Sequence, residues 1–263
     1  MSQELGYQFL VQGMQRVQAG SLTESLQSLA SLGPVALSIT PYLAAFRAQH
    51  KDDHILDDIS ARFSAVIERN PKPVRKAWIT DTYAEVNGVT RTIRTLAGLA
   101  ATAGRDLTVL TCSDTFTEGG SDAFQMKNFT PVGSFSLPEY EELKLAFPPF
   151  LDIIEYLERE RFSELIISTP GSLGLVALAA GRLLGLKLTG IYHTDLPKYV
   201  EVMTEDEGMG QTTWRYMCWF YGQMDTVFVP SQCYRDQLAE YGLESKRLKV
   251  LPRGVDVDLF SPD

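Results

Sequence analysis

Little in this sequence could staple it, anchor it or bind a metal. Its three cysteines, Cys112, Cys218 and Cys233, are far apart and odd in number. They show neither a disulfide framework nor metal-ligand spacing, and a reducing cytoplasm suits them. Basic charge is scarce: 24 Lys and Arg stand against 33 Asp and Glu, a net charge of −9. That balance argues against a nucleic-acid binder and against simple electrostatic docking to anionic lipid. The start, "MSQELGYQFLVQGMQ", has no basic region followed by an apolar core, as a signal peptide would. The longest apolar run, "SLGLVALAAGRLLGLKL", is broken by Arg182 and too short to span a bilayer comfortably. There is no internal repeat, no G-x-G-x-x-G dinucleotide fingerprint and no G-x-x-x-x-G-K-[ST] phosphate loop.

What is present reads as an ordinary soluble protein. The chain is 44% hydrophobic and 22% charged, and its 263 residues allow one large domain or two small ones. Residues 1–70 carry helical patterns, with Phe46, Ile55, Ile59, Phe63 and Val66 roughly on one face. "ERNPKPVRK" then marks a boundary with two prolines and mixed charge. Six apolar runs follow, over 76–80, 107–112, 164–169, 188–194, 226–231 and 247–252, and 132–138 adds a candidate short strand. Helical stretches lie between most of them, over 88–103, 148–161, 172–185, 207–223 and 232–241. Alternation of this kind implies βα units: an α/β domain over 75–263, a Rossmann-like parallel sheet with helices on both faces, behind a helical N-terminal segment. Such sheets bind ligands at the carboxyl ends of their strands.

The first turn runs from Asp81 to Gly88. Asn87 is a candidate N-cap, and Gly88 lets a ligand approach the backbone. Val89, Ile93, Leu96, Ala100 and Ala103 form the expected buried stripe of the helix. The helix start suits a phosphate, but from the spacing alone a capped helix that binds nothing is the better fit.

Three further stretches join it: "GIYHTDLPKYVE" (190–201), "DTVFVPSQCYRDQLAEYGL" (225–243) and "RLKVLPRGVDVDLFSP" (247–262). Together with "ITDTYAEVNGVTRTIRTLAGLA", and in this order, they resemble the N-terminal half of the family 4 glycosyltransferases. These are retaining enzymes of the two-Rossmann, GT-B fold. The flavour is that of the bacterial branch that modifies lipids, and the resemblance covers about residues 75–263. It implies a nucleotide-sugar donor, a lipid or other small hydroxyl acceptor, no metal or other cofactor, and no nucleic acid. It also implies a cytoplasmic site of action, with a peripheral contact at the inner face of the membrane. By the same resemblance Asn87 and Gly88 approach the donor diphosphate and sugar, and His193 contacts the donor sugar near the reacting carbon. Thr194 and Asp195 fall on the acceptor side, and Arg91 is placed there as a candidate for an anionic acceptor. In family members the leaving phosphate assists deprotonation, so His193 is not expected to be a general base. "RGVD" (253–256) stands where the family has Asn-Gly-Val-Asp, at the start of the interdomain linker. The family's second Rossmann domain, with its Arg/Lys pair and Glu-x7-Glu motif, is not in the chain. An acceptor-side half on its own is expected to be nearly inactive.

Other features read more plainly. His50 and His54, beside Asp53 and Asp57, have metal-compatible spacing but fit a solvated helix face better. "TEDEGMG" (204–210) reads as a helix start, with a flap over the cleft as the sharper option. "TWRYMCWFYGQM" (213–224) reads as core, with an acceptor-channel wall or membrane contact as the sharper one. The cysteines read as inert, Cys112 as a buried small hydrophobe. Two other functions fit the scaffold. A nucleotide-sugar epimerase would need cleft carboxylates, for which Asp81 and Asp195 are the candidates. A non-catalytic module would hold an anion or nucleotide at the first turn.

Overall fold

The apolar runs are short and continuous, so the strands they form are covered on both faces. The computed structural model describes residues 74–83, 87–114, 123–137 and 140–252, with scattered residues between 40 and 63. In chain order come β1 (Lys76–Ile79), α1 (Gly88–Thr102), β2 (Leu107–Cys112), β3 (Gln125–Phe129), β4 (Gly133–Leu137) and β5 (Tyr140–Phe147). There follow α2 (Phe150–Arg159), β6 (Glu164–Ile167), α3 (Ser172–Leu184), β7 (Lys187–Ile191), α4 (Leu196–Thr204) and α5 (Glu207–Gly222). β8 (Thr226–Val229), α6 (Gln232–Glu240) and β9 (Leu248–Val250) complete the order. Seven strands form one sheet in the order β3-β2-β1-β6-β7-β8-β9, every pair parallel. From β1 the chain steps outward to β3, then returns to place β6 on the other side of β1. The topological switch point lies between β1 and β6, where Ile79 pairs with Ile167.

Alternation along the strands divides the core. Ala77, Ile79, Leu110, Leu165, Ile167, Leu188 and Val227 face one side, where α2, α3, α5 and α6 cover them. Trp78, Val109 and Ile191 face the other, against Tyr83 and the α1 residues Ile93 and Ala97. At the amino edge, buried Glu164 receives Lys76 Nζ at 2.8 Å and Lys187 Nζ at 3.6 Å, and accepts from Thr189 Oγ1 at 2.7 Å. Arg75 ties the same edge to Glu160 at 2.7 Å and Asp106 at 3.2 Å.

Several elements differ from the sequence reading. "VGSFSLP" is a strand, but β4 pairs antiparallel with β5 in a separate hairpin outside the main sheet. β3, β5 and α4 are additional. β7 ends at Ile191, so His193 lies two residues beyond the strand. The α1 stripe is Thr90, Ile93 and Ala97, with Val89 and Leu96 packed at its edge; Ala103 is the exposed C-cap. Of the N-terminal stripe, only Ile59 and Phe63 have described surroundings, and both are exposed. Arg47 Nη1 donates to the Arg182 and Leu183 carbonyls at 3.0 and 3.3 Å, satisfying the carboxyl end of α3. His50, Asp53, His54, Asp57 and residues 253–256 lie outside the described residues.

Candidate active site

The carboxyl edge at the switch point is built from the ends of β1, β6 and β7. After β1 the chain turns through Asp81, Thr82 and Tyr83 toward α1. Asn87 caps that helix: its extended backbone (φ −139°, ψ 170°) lets Oδ1 accept from the Thr90 amide at 2.9 Å. Thr90 Oγ1 donates back to the Thr82 carbonyl at 2.9 Å, clipping the helix start to the strand end. Gly88 is exposed at the open end of the helix, where first-turn amides have no intrahelical acceptor. Arg91, one turn further on, is exposed.

Asp81 sits across the switch point and is fully engaged. Its Oδ1 accepts from the Leu173 amide at 2.9 Å, so a side chain just past β1 caps α3. Its Oδ2 accepts from Thr169 Oγ1 at 2.8 Å. A Cβ on Gly171 would collide with this carboxylate and force it to shift from these bonds. Tyr216 of α5 donates its hydroxyl to the Pro170 carbonyl beside them, and burial together with the Asp81 charge pushes its pKa up. Cys112, at the end of β2, is pushed up to about 12 by burial, then by the charges of Asp81 and Asp114. It is a buried thiol, not a nucleophile.

His193 is half-buried just past β7, and its Nε2 lies 3.1 Å from Ser168 Oγ. Ser168, 2% exposed, follows β6 and accepts from Trp78 Nε1 at 2.6 Å. Trp78 belongs to the α1-side cluster with Tyr83, Ile93 and Ile191. The α1 turn and the His193 loop thus flank one apolar cluster, on one face and one edge of the sheet. Thr194 is exposed beside them. Asp195 is the N-cap of α4, its Oδ1 3.4 Å from both the Lys198 amide and the Tyr192 hydroxyl.

Ser168 and Trp78 escaped the sequence reading. The available signal was weak: "IIST" ends a strand, as "IYHT" does, but nothing local says that the two ends are neighbours. "TEDEGMG" holds a helix start, with Asp206 accepting from the Gly208 amide at 2.7 Å. In the aromatic stretch Trp214, Met217, Phe220 and Tyr221 are buried, and Trp219 is 52% exposed. Among the described residues no three His, Cys, Asp or Glu side chains gather as a metal site, and no helix is long and apolar enough to cross a membrane.

A seven-stranded parallel sheet with a switch point between β1 and β6 defines a Rossmann-like domain. Comparison with known proteins makes the class specific. The family model described as Glycosyltransferase Family 4 matches residues 86–259, and the chain belongs to that family. It is similar to alpha-monoglucosyldiacylglycerol synthase of Streptococcus pneumoniae, 25% identical over 189 residues, or 71% of this chain and 42% of that protein. It is also similar to sulfoquinovosyl transferase SQD2 of Arabidopsis thaliana, 25% identical over 146 residues, covering 55% of this chain and 28% of that one. Among solved structures, Anabaena Alr3699/HepE in complex with UDP and glucose superposes with a TM-score of 0.51 at 15% identity, over 71% of this chain and 46% of that one. The fold is therefore one Rossmann-like unit of a GT-B protein, and the chain spans less than half the length of the two sequence relatives.

Proposed function

We infer that this chain is the acceptor-side half of a retaining glycosyltransferase. The whole enzyme moves a hexose from a nucleotide-sugar to a lipid-linked or similar hydroxyl. The observation that carries the reading is the shared cluster of Trp78, Tyr83, Ile93 and Ile191, flanked by the α1 turn and the His193 loop. A sugar-phosphate seated over it would meet a helix N-terminus on one side and an imidazole on the other. The helix end favours the negative charge that builds on the departing diphosphate, and His193 orients the sugar. Gly88 leaves room for the phosphate to reach the backbone. Thr194 and Arg91, both exposed, line the acceptor side in this reading, whereas Asp195 acts there through its cap on α4.

The names of the relatives support the substrate classes. One is a glucosyldiacylglycerol synthase, and the solved neighbour holds UDP and glucose. We place the enzyme in the cytoplasm, at the inner face of the membrane, with no metal or nucleic acid required. The second Rossmann unit would close the cleft and grip the nucleoside. An epimerase gains no support, because Asp81 is spent on capping α3 and Asp195 on capping α4.

The test is a turnover assay with nucleotide-hexose and diacylglycerol-type acceptor. His193→Ala in the complete enzyme is expected to lower kcat about 100-fold or more, the scale of one lost transition-state contact. The 263-residue chain assayed alone is expected to show little or no transfer. Unchanged turnover in the variant would remove His193 from the site.

A further inference from the structure

His193 is anchored by hydrogen bonds whose bookkeeping fixes more than its position. Ser168 Oγ has two partners among the described residues, Trp78 Nε1 at 2.6 Å and His193 Nε2 at 3.1 Å. An indole N–H only donates, so the serine oxygen accepts from Trp78 and its own proton cannot go there. Ser168 is 2% exposed, and water does not take that proton instead. One acceptor remains, the ring nitrogen Nε2 of His193.

A neutral imidazole carries one proton, and a nitrogen that accepts does not bear it. The alternative tautomer would donate from Nε2 to Ser168 and leave a buried hydroxyl proton with no acceptor, which is unfavourable. We propose that the Trp78–Ser168 pair is a positioning device that holds His193 as the Nδ1–H tautomer. The ring is thereby set as a hydrogen-bond donor at Nδ1 and cannot take up a proton at that atom. Trp78 and Ser168 do not touch the reacting atoms; they act through the imidazole. The three residues come from β1, the end of β6 and the loop after β7, so the sheet's own register sets the ring's orientation. The role in sugar transfer rests on the proposed function; the tautomer itself does not.

The experiment is long-range 15N–1H correlation NMR on the full chain, labelled at histidine, at mildly alkaline pH where the ring is neutral. The chain has three histidines, and His193→Gln assigns the signal by its loss. The expected spectrum shows a protonated-type shift at Nδ1 and an unprotonated-type shift at Nε2, with the Nδ1–H form favoured about tenfold or more. In Ser168→Ala the balance is expected to move to Nε2–H, the form neutral imidazole prefers in water, whereas Ser168→Thr, which keeps the hydroxyl, is expected to retain Nδ1–H. A predominantly Nε2–H ring in the unmodified chain overturns the proposal, and that measurement needs no variant to fold. An unmoved balance in a folded Ser168→Ala variant overturns it too. These results are independent of the turnover assay: a correct tautomer with a fully active His193→Ala enzyme would remove His193 from sugar transfer and leave the tautomer proposal standing.

Discussion

Asn87 shows how a single side chain serves structure before chemistry. Its oxygen holds the Thr90 amide at 2.9 Å, and this bond sets where α1 begins and so where the helix dipole points. Replacing it with alanine removes the cap and is expected to cost about 1 kcal/mol, while glycine, itself a fair N-cap, is expected to cost only a few tenths. Urea unfolding of the two variants measures the difference. Equal losses would mean that the cap does not define the turn. Asp81 and Asp195 are similarly occupied, capping α3 and α4. Much at this scale was legible: Asn-Gly before a helical stripe announced a cap, and "IYHT" announced a polar residue at a strand end. The Trp78–Ser168–His193 contact was not, because Trp78 and Ser168 lie 90 positions apart and meet only once β1 and β6 are known to be neighbours.

At the level of elements, the buried parallel strands were readable because covering both faces demands continuous apolar runs. The missed pieces are those whose composition follows another rule. β3 reads "QMKNF" and lies at the sheet's edge, with Gln125 exposed, so it needs no apolar run. β5 reads "YEELKLAF", whose charged residues suit a helix as well as a hairpin strand. α4 carries Pro197 in its first turn, a position that proline tolerates, though proline usually signals a break. The strand ends also make an electrostatic prediction. Burial raises the pKa of Glu164, but hydrogen bonds from Lys76 and Thr189 and the charges of Lys76 and Lys187 outweigh it, and the net shift is downward. A carboxylate with a lowered folded pKa stabilises the fold fully above its unfolded value, near 4.3, and the contribution is lost as pH falls through the folded value. Denaturant midpoints followed from neutral pH to about pH 3 should therefore fall more steeply in the unmodified chain than in Glu164→Gln. Parallel curves would show that the lysine pair does not hold β1, β6 and β7 together.

For the molecule as a whole, one claim organises the rest. In the function proposed above, the Asn87–Gly88 turn and His193, which flank one apolar cluster at the sheet's carboxyl edge, would hold one sugar-phosphate between them. Their placement follows from the strand order, since the turn leaves β1, Ser168 leaves β6 and His193 follows β7, three successive neighbours at the switch point. The N-terminal residues meet this frame at least through Arg47 at the far end of α3. In the proposed reading, nucleoside recognition comes from a second Rossmann unit, and the relatives, which this chain covers to 42% and 28%, are long enough to hold one. The most direct test is a crystal structure of the proposed two-domain enzyme with a non-transferable nucleotide-hexose bound. The account predicts the diphosphate at the α1 N-terminus beside Gly88 and a hexose oxygen within hydrogen-bond reach of His193 Nδ1. A donor bound elsewhere, touching neither the turn nor the imidazole, would contradict it.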